Sequence, residues 1–381
     1  MIAKEPLRLV VVGVGLIGPR HAQHVLDDPE TDLVAIVDPS PKGEVVAASL
    51  GTVSYKSVAE MFNHLDKNHL PYPDGAIVCT PNHLHTCVAA ELATKGIHLL
   101  VEKPISTSLA DAKALQELAK KHSVRVLVGH HRRFNPYILA AKQLLTRIGA
   151  PIAVQGSWAL YKDELYFELS PWRTDRRTGG GPLLINLIHD LDILQYLLGP
   201  IERVYAELTK KQRTRYPDMD EGACLALRFR SGVTGTFICS DAVVSPFNFE
   251  SGTGENPTIP AHEQLLGLYR IFGSNGTLSV PDLTLFHQER APSKSWLHTV
   301  SKTALVEDRL ELQRIKPFTA QLRHFVEVIR ERQEPACLIE DGISALLCVN
   351  AVVRSIETGL PTAVGTVAEI EAAPGLLGLK K

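Results

Sequence analysis

The chain has 381 residues, 45% of them apolar and 22% charged, which is the balance of an ordinary globular protein and excludes a disordered or collagen-like one. At roughly 150 residues per domain, that length predicts two domains or one large one, with core enough to fold without staples. Lys and Arg number 40 against 42 Asp and Glu, a formal net charge of -2, so nothing favours nucleic acid or an anionic membrane as a partner.

The N-terminus, Met1-Ile2-Ala3-Lys4-Glu5-Pro6, has no long apolar region or small-residue cleavage site before the first strand, so it does not read as a signal peptide. No apolar run reaches the roughly 18 residues of a membrane span, and Lys380-Lys381 matches no lipidation motif. Cys79, Cys87, Cys224, Cys239, Cys337 and Cys348 include no CxxC pair, and most sit in apolar runs. They read as free thiols of a reducing compartment, and a cytoplasmic location is expected.

In chain order, Leu7 to Val12 is a continuous apolar run, the pattern of a strand buried on both faces. A glycine turn and a helix from Pro19 to Leu26 follow. Leu33 to Val37 is a second strand, ending at Asp38; Val45 to Leu50 and Val58 to Leu65 are helices. Residues 63–75 are polar enough to predict a surface loop. Strands at Gly75–Cys79, Ile97–Val101 and Val124–Val128 alternate with helices at His85–Lys95, closed by Gly96, and Ser108–His122, opened by a Ser108/Asp111 capping pair. Such alternation implies a mostly parallel, doubly wound sheet over residues 1–130.

From 131 to 381 the pattern changes. Asn135 to Ile148 reads as a helix. Longer, more polar strands follow at Ile152–Tyr161, Glu202–Lys211, Ala223–Phe229, Val233–Ser240, Leu268–Phe272 and Thr284–Gln288, with a hairpin turn at Gly273-Ser274-Asn275-Gly276. Helices are expected at Leu183–Leu198, Thr319–Arg332 and Ile343–Glu357, and a loop at 245–264. This is an α+β domain on a large, mostly antiparallel sheet with one solvated face.

Gly13-Val14-Gly15-Leu16-Ile17-Gly18 lies between a buried strand and a helix. The first Gly permits the turn, the second admits a pyrophosphate, the third allows close helix–strand packing, and the helix N-terminus favours the negative charge. Asp38, twenty residues after Gly18, can accept both ribose hydroxyls and repels a 2′-phosphate. That favours NAD over NADP, a preference Lys42 would soften.

Two segments carry the chemistry. Glu102-Lys103-Pro104 ends a parallel strand, on the side where such sheets bind ligands. Gly179-Gly180-Gly181-Pro182 opens a helix whose Leu184, Leu187, Leu191, Leu194 and Leu198 form a core stripe, with His189 off that stripe beside Ile185, Asn186, Asp192 and Ile193. Lys162 and Arg173 are candidates for a substrate carboxylate. Trp158, Tyr161, Tyr166 and Phe167 could stack on a sugar ring or fill a core. His83, His85, His130 and His131 lack Cys, Asp or Glu partners at ligand spacing, so no metal site is expected. Arg132 is expected to hold the domain junction, a structural role, with a cofactor contact as the alternative.

These motifs resemble the glucose–fructose oxidoreductase / inositol dehydrogenase / MocA family: GVGLIG, the strand-end Asp38, Cys79-Thr80-Pro81-Asn82-His83-Leu84-His85, Glu102-Lys103-Pro104 and GGGPLLINLIHDLD. The resemblance implies a Rossmann domain followed by a domain with a large antiparallel sheet. It implies Lys103 as the active-site lysine and His189 as general acid/base. It also implies that Thr80, Pro81, Asn82 and His85 line the cofactor ribose and Glu102 stands near the nicotinamide. The implied activity is hydride transfer between NAD(P) and a secondary hydroxyl of a sugar, cyclitol or sugar acid, with Lys103, Lys162, Arg173, Asn186 and His189 around the substrate. A homodimer or homotetramer through the C-terminal sheet is implied as well. Many members carry Asp four residues before the histidine; here Ile185 stands there, an alkyl group that cannot orient an imidazole, which shifts proton transfer towards Lys103. Family relatives also include non-catalytic NAD(P)-binding regulators and NAD-dependent glycosidases, the alternatives to a dehydrogenase.

Overall fold

The computed structural model describes residues 5–176, 179–256, 258–262, 264, 266–306, 312 and 314–365. Arg177 of the polar loop before the glycine run, and Lys380-Lys381, lie outside them. The chain divides into two compact units, one of residues 1–131 with 318–343 and the other of 132–317 with 344–381.

The first unit holds six parallel strands: β1 (Leu7–Val12), β2 (Thr31–Val37), β3 (Val53–Tyr55), β4 (Gly75–Val78), β5 (His98–Val101) and β6 (Val126–Val128), in the order β3-β2-β1-β4-β5-β6. Leu9, Val10 and Val11 are completely buried, as a strand covered on both faces requires. Its helices are α1 (Gly18–Asp27), α2 (Pro41–Ser49), α3 (Val58–Lys67), α4 (His85–Ala93) and α5 (Leu109–Lys121). The strand order reverses between β1 and β4, so their carboxyl ends frame a crevice.

Ser108 caps α5 by accepting from the Asp111 N–H at 3.3 Å, and Gly96 has φ +75° after α4. The expected loop at 63–75 begins later than the polar run suggested. The third helix extends to Lys67 because buried Leu65 continues its apolar stripe with Met61 and Phe62, while Asn63, His64 and Asp66 take the outer face.

The second unit contains α6 (Pro136–Leu144), capped by Asn135, then β7 (Pro151–Ala159), α7 (Glu164–Glu168), α8 (Ile188–Leu198), β8 (Ile201–Leu208), β9 (Gly222–Phe229), β10 (Thr234–Ser240), α9 (Phe249–Gly252), β11 (Tyr269–Gly273), β12 (Gly276–Val280), β13 (Thr284–His287) and β14 (Ser301–Ala304). Two longer helices, α10 (Pro317–Ile329) and α11 (Ile339–Thr358), precede β15 (Thr362–Ala363). Helix α10 groups with the first unit, where Ile329 and Phe325 come so close to Gly75 that a Cβ there would meet them at 2.7 and 3.1 Å.

The nine-stranded sheet runs β14-β13-β12-β11-β7-β10-β9-β8-β15, and β7–β10 is the parallel pair among its described ladders. Alternation sets one face outward: Ile238, Cys224, Ala226, Thr236 and Phe272 are exposed, while Phe237, Leu225, Leu227 and Ile271 are buried. The same alternation explains why Cys224 is exposed whereas Cys239, on the neighbouring strand, is buried; none of the six cysteines forms a disulfide. The expected loop at 245–264 carries the short helix α9, capped by Asn248. No described helix is long and apolar enough to cross a membrane.

Candidate functional site

In the first unit the fingerprint occupies the carboxyl end of β1. Gly13 has φ +95°, and a Cβ there would lie 2.7 Å from the Cys79 carbonyl carbon; a Cβ on Gly18 would strike the Gly13 carbonyl. Gly15 faces open space, with nothing within 4 Å of its would-be Cβ, and Leu16 beside it is exposed. Ile17 stands at the N-cap of α1. The turn thus presents unobstructed backbone at a helix N-terminus, the surface a pyrophosphate needs.

Asp38 braces this turn. Its Oδ2 accepts from the Val14 N–H at 2.8 Å, and its Oδ1 accepts from the Ser40 N–H at 2.9 Å and from the Ser40 hydroxyl. Lys42 donates to the Gly15 carbonyl at 2.8 Å. Across the crevice, at the end of β4, the Thr80 Oγ1 is buried with no hydrogen-bond partner, a group that a bound ribose hydroxyl would satisfy. Open turn, fixed carboxylate and orphaned hydroxyl together fit a dinucleotide.

Pro81 and Asn82 open a 3₁₀ turn ahead of α4. His85 is buried at the start of that helix, and its ring nitrogens lie 2.7 Å from the Pro104 carbonyl and 2.8 Å from that of Thr80. Burial lowers its pKa against the opposing pull of these two carbonyls. The imidazole therefore ties the Thr80 loop to the loop carrying Lys103.

Glu102 and Lys103 end β5. Glu102 is buried; its Oε1 lies 2.8 Å from His21 Nε2, and its Oε2 accepts from the Lys103 N–H at 3.2 Å. Burial pushes this carboxyl up, but the His21 hydrogen bond and charge, with Lys103 and His131, more than offset it and hold the carboxyl at about 2. Glu102 thus remains ionised and fixes the backbone on which half-buried Lys103 stands. His21 was missed by sequence reasoning. The readable signal was its place in the α1 stripe Gly18, His21, Ala22, Val25, where an imidazole among apolar neighbours requires a partner.

In the second unit the predicted continuous helix begins differently. Leu183–Leu187 form a π-turn before α8. The wider turn carries Leu184 off the expected core stripe, so that Leu184, Ile185 and Asn186 are half-exposed. His189, expected on a polar flank, is only 5% exposed, because Ile188 to Leu194 are buried on every side of the helix.

Two arginines hold that buried helix. Arg133 forms a fork with Asp192, with contacts of 2.7 to 3.2 Å. Arg132 lies among three carboxylates, Glu255 at 2.8 Å, Glu250 at 2.8 Å and Asp190 at 3.3 Å. Tyr269 donates to Asp190 at 2.5 Å and the Trp158 indole to Glu250 at 2.9 Å, so Trp158 belongs to the core. Arg132 therefore has the structural role expected of it; its partners, more than 50 residues away, have no local sequence signal.

One guanidinium cannot neutralise three carboxylates, and burial, with Glu250 and Glu255 adding to it, pushes Asp190 up to about 7 against Arg132 and Tyr269. A carboxyl raised in the folded state stabilises fully below its unfolded pKa, and this contribution is lost as pH rises through about 7. Urea unfolding across that range should show wild type losing stability relative to Asp190→Asn, whose amide mimics the protonated acid; parallel profiles would contradict this assignment. Asp220, raised by burial to about 6, adds a slope of the same sign in both proteins.

The other candidates lie near the π-turn. Lys162 donates to Asn186 Oδ1 at 2.7 Å, lies 3.5 Å from Asp241 and sits over the Tyr166 ring at 4.6 Å. Arg173 is buried, with its guanidinium 3.9 Å over the other candidate contact, Tyr166, and donating to the Tyr166 carbonyl at 2.5 Å. Its own carbonyl accepts from the Gly181 N–H at 2.9 Å, which anchors the glycine run. Tyr161 is exposed and Phe167 buried.

Two family models match the chain, an "Oxidoreductase family, NAD-binding Rossmann fold" over residues 7–130 and an "Oxidoreductase family, C-terminal alpha/beta domain" over 142–364. The chain is 26% identical over 366 residues to a scyllo-inositol 2-dehydrogenase (NAD(+)) of Bacillus subtilis, covering 94% of this chain and 96% of that one. It is 25% identical to a myo-inositol 2-dehydrogenase of Thermotoga maritima, covering 92% and 96%. Among solved structures, the WlbA dehydrogenase of Bordetella pertussis in complex with NADH and UDP-GlcNAcA shares its fold, with a TM-score of 0.73, 21% identity and coverage of 94% and 99%. So does scyllo-inositol dehydrogenase of Lactobacillus casei with NAD(H) and scyllo-inositol, with a TM-score of 0.72, 17% identity and coverage of 94% and 99%.

Proposed function

We propose that this chain, which belongs to the Gfo/Idh/MocA oxidoreductase family, is an NAD-dependent dehydrogenase acting on a secondary hydroxyl of a sugar, cyclitol or sugar acid. The observation that carries this reading is the Glu102–Lys103 pair at the carboxyl end of β5, in the same Rossmann unit as the open Gly15 turn and Asp38. The inositol dehydrogenases among its relatives support the substrate class. Asp38 supports NAD over NADP, since a 2′-phosphate would meet its carboxylate.

When bound, the nicotinamide supplies the hydride acceptor. Gly13, Gly15, Leu16, Ile17 and Gly18 would hold the pyrophosphate and Asp38 and Thr80 the riboses, with Pro81, Asn82 and His85 shaping the loop beside them. Glu102 positions Lys103. Lys103 takes the proton of the hydroxyl as its carbon is oxidised to a ketone, and His189 stands at the position to which the family resemblance gives a general acid/base. With Ile185 in place of an acidic neighbour, Lys103 carries the larger share. Self-association is assigned to the exposed sheet face around Ile238 and Phe272; sedimentation of an Ile238→Glu variant as a monomer tests it.

The test is NADH formation across a panel of cyclitols, sugars and sugar acids. The reading predicts reduction with at least one member. No reduction by a protein that still binds NADH would contradict it and favour a regulatory role.

A further inference from the structure

The π-turn Leu183–Leu187 departs from α-helical geometry just ahead of His189. Such turns are rare, and one persists where its surroundings over-determine it. Here side chains from other segments bond the turn near both ends. At its start, buried Asp220 accepts from the Leu183 N–H at 3.1 Å. Gly181, with φ +88°, packs so closely there that a Cβ would lie 2.4 Å from Asp220 Oδ2. Near its end, Lys162 donates to Asn186 Oδ1 at 2.7 Å. An ammonium can only donate, so the amide oxygen faces it and the amide is fixed.

Lys162 is held in its turn. Its side chain is only 9% exposed and lies over the Tyr166 ring at 4.6 Å. It stands 3.5 Å from Asp241 Oδ2, a buried oxygen with no hydrogen bond, while Arg213 holds the other oxygen at 2.6 Å. The ammonium thus faces a desolvated carboxylate on one side and grips the turn on the other. Asn186 lies three residues before His189. Ile185, one helical turn before it, has no polar atom with which to hold an imidazole. The placement of the ring depends the more on the backbone that leads to it.

We infer that Lys162 is a positioning residue: through Asn186 it holds the π-turn, and so sets where the His189 imidazole stands for proton transfer. Asp241 anchors Lys162, and Asp220 fixes the start of the same turn. The inference rests on the dehydrogenase reading and adds to it a residue that acts through His189.

The experiment measures kcat and KM for NAD reduction, with the best substrate of the panel above, in wild type, Lys162→Met, Lys162→Arg and Asn186→Leu, each also combined with His189→Asn. Lys162→Met and Asn186→Leu are each expected to lower kcat roughly 10- to 100-fold with KM little changed, the cost of a misplaced catalytic group. Lys162→Arg keeps a donor for Asn186 and should restore most of the rate. In the His189→Asn background the same changes should cost little more, because the group they position is gone. Asn186 is half-exposed, so Asn186→Leu covers the case in which Lys162→Met fails to fold. A raised KM with kcat unchanged, or losses that add fully to that of His189→Asn, overturns the positioning role and leaves the dehydrogenase reading standing. If no compound forms NADH, that reading fails, and NMR of histidine-labelled protein decides the positioning, with the His189 signal assigned by its absence from His189→Asn. A signal displaced in Lys162→Met and Asn186→Leu and restored in Lys162→Arg supports it; an unmoved signal overturns it.

Discussion

Lys103→Met is expected to lower kcat/KM for NAD reduction by about 10³-fold, the scale of a lost general base. Met keeps the apolar stem of the side chain and removes only the amine. Lys103 is half-buried, and its backbone is held by Glu102, which in turn is held by His21. The Glu102 hydrogen bond uses the backbone N–H of Lys103, which Met keeps, so thermal unfolding should stay close to wild type. Activity preserved in the variant would remove Lys103 from the mechanism; a collapsed melting temperature would give it a structural role instead. His189→Asn should lose less, because no acidic side chain stands at position 185 to support the imidazole.

The second large effect concerns folding. Arg132→Met should destabilise the chain by about 3–5 kcal/mol, the range found when one partner of a buried ionic network is removed. Arg132 binds Glu255, Glu250 and Asp190 together, and Glu255 and Asp190 are as buried as itself. Without it, these carboxylates repel one another in a desolvated pocket. Urea unfolding measures the loss, and a double-mutant cycle with Asp190→Asn should show the two changes to be non-additive, since the amide removes one of the stranded charges. Additive losses, or a change below about 1 kcal/mol, would contradict the charge balance drawn for this cluster.

The parallel sheet and fingerprint were legible because their signals are local. Leu7–Val12 is an unbroken apolar run, the three glycines follow it directly, and Asp38 closes the next strand. The long strands of the second domain were legible through alternation. Short elements were not: Val53–Tyr55, Ser301–Ala304 and Thr362–Ala363 are strands because neighbouring strands pair with them, which two to four residues cannot signal. The π-turn escaped for a related reason. Leu184 and Leu187 fit an α-helical stripe, and only the tertiary surroundings reveal the widened turn. Arg132 with Glu250 and Glu255, and Lys162 with Asn186, pair across separations that no motif spans. Their chemistry was visible one residue at a time, and their partnership only in the fold.

In the proposed reaction a carbinol hydrogen of the substrate leaves as hydride while Lys103 takes the hydroxyl proton. The most direct measurement uses substrate deuterated at the reacting carbon and follows the label by mass spectrometry. Deuterium recovered on the reduced nicotinamide, with label transfer by Lys103→Met slowed about 10³-fold, is the predicted result. Deuterium retained in the substrate, or released to water without any appearing in NADH, would contradict it.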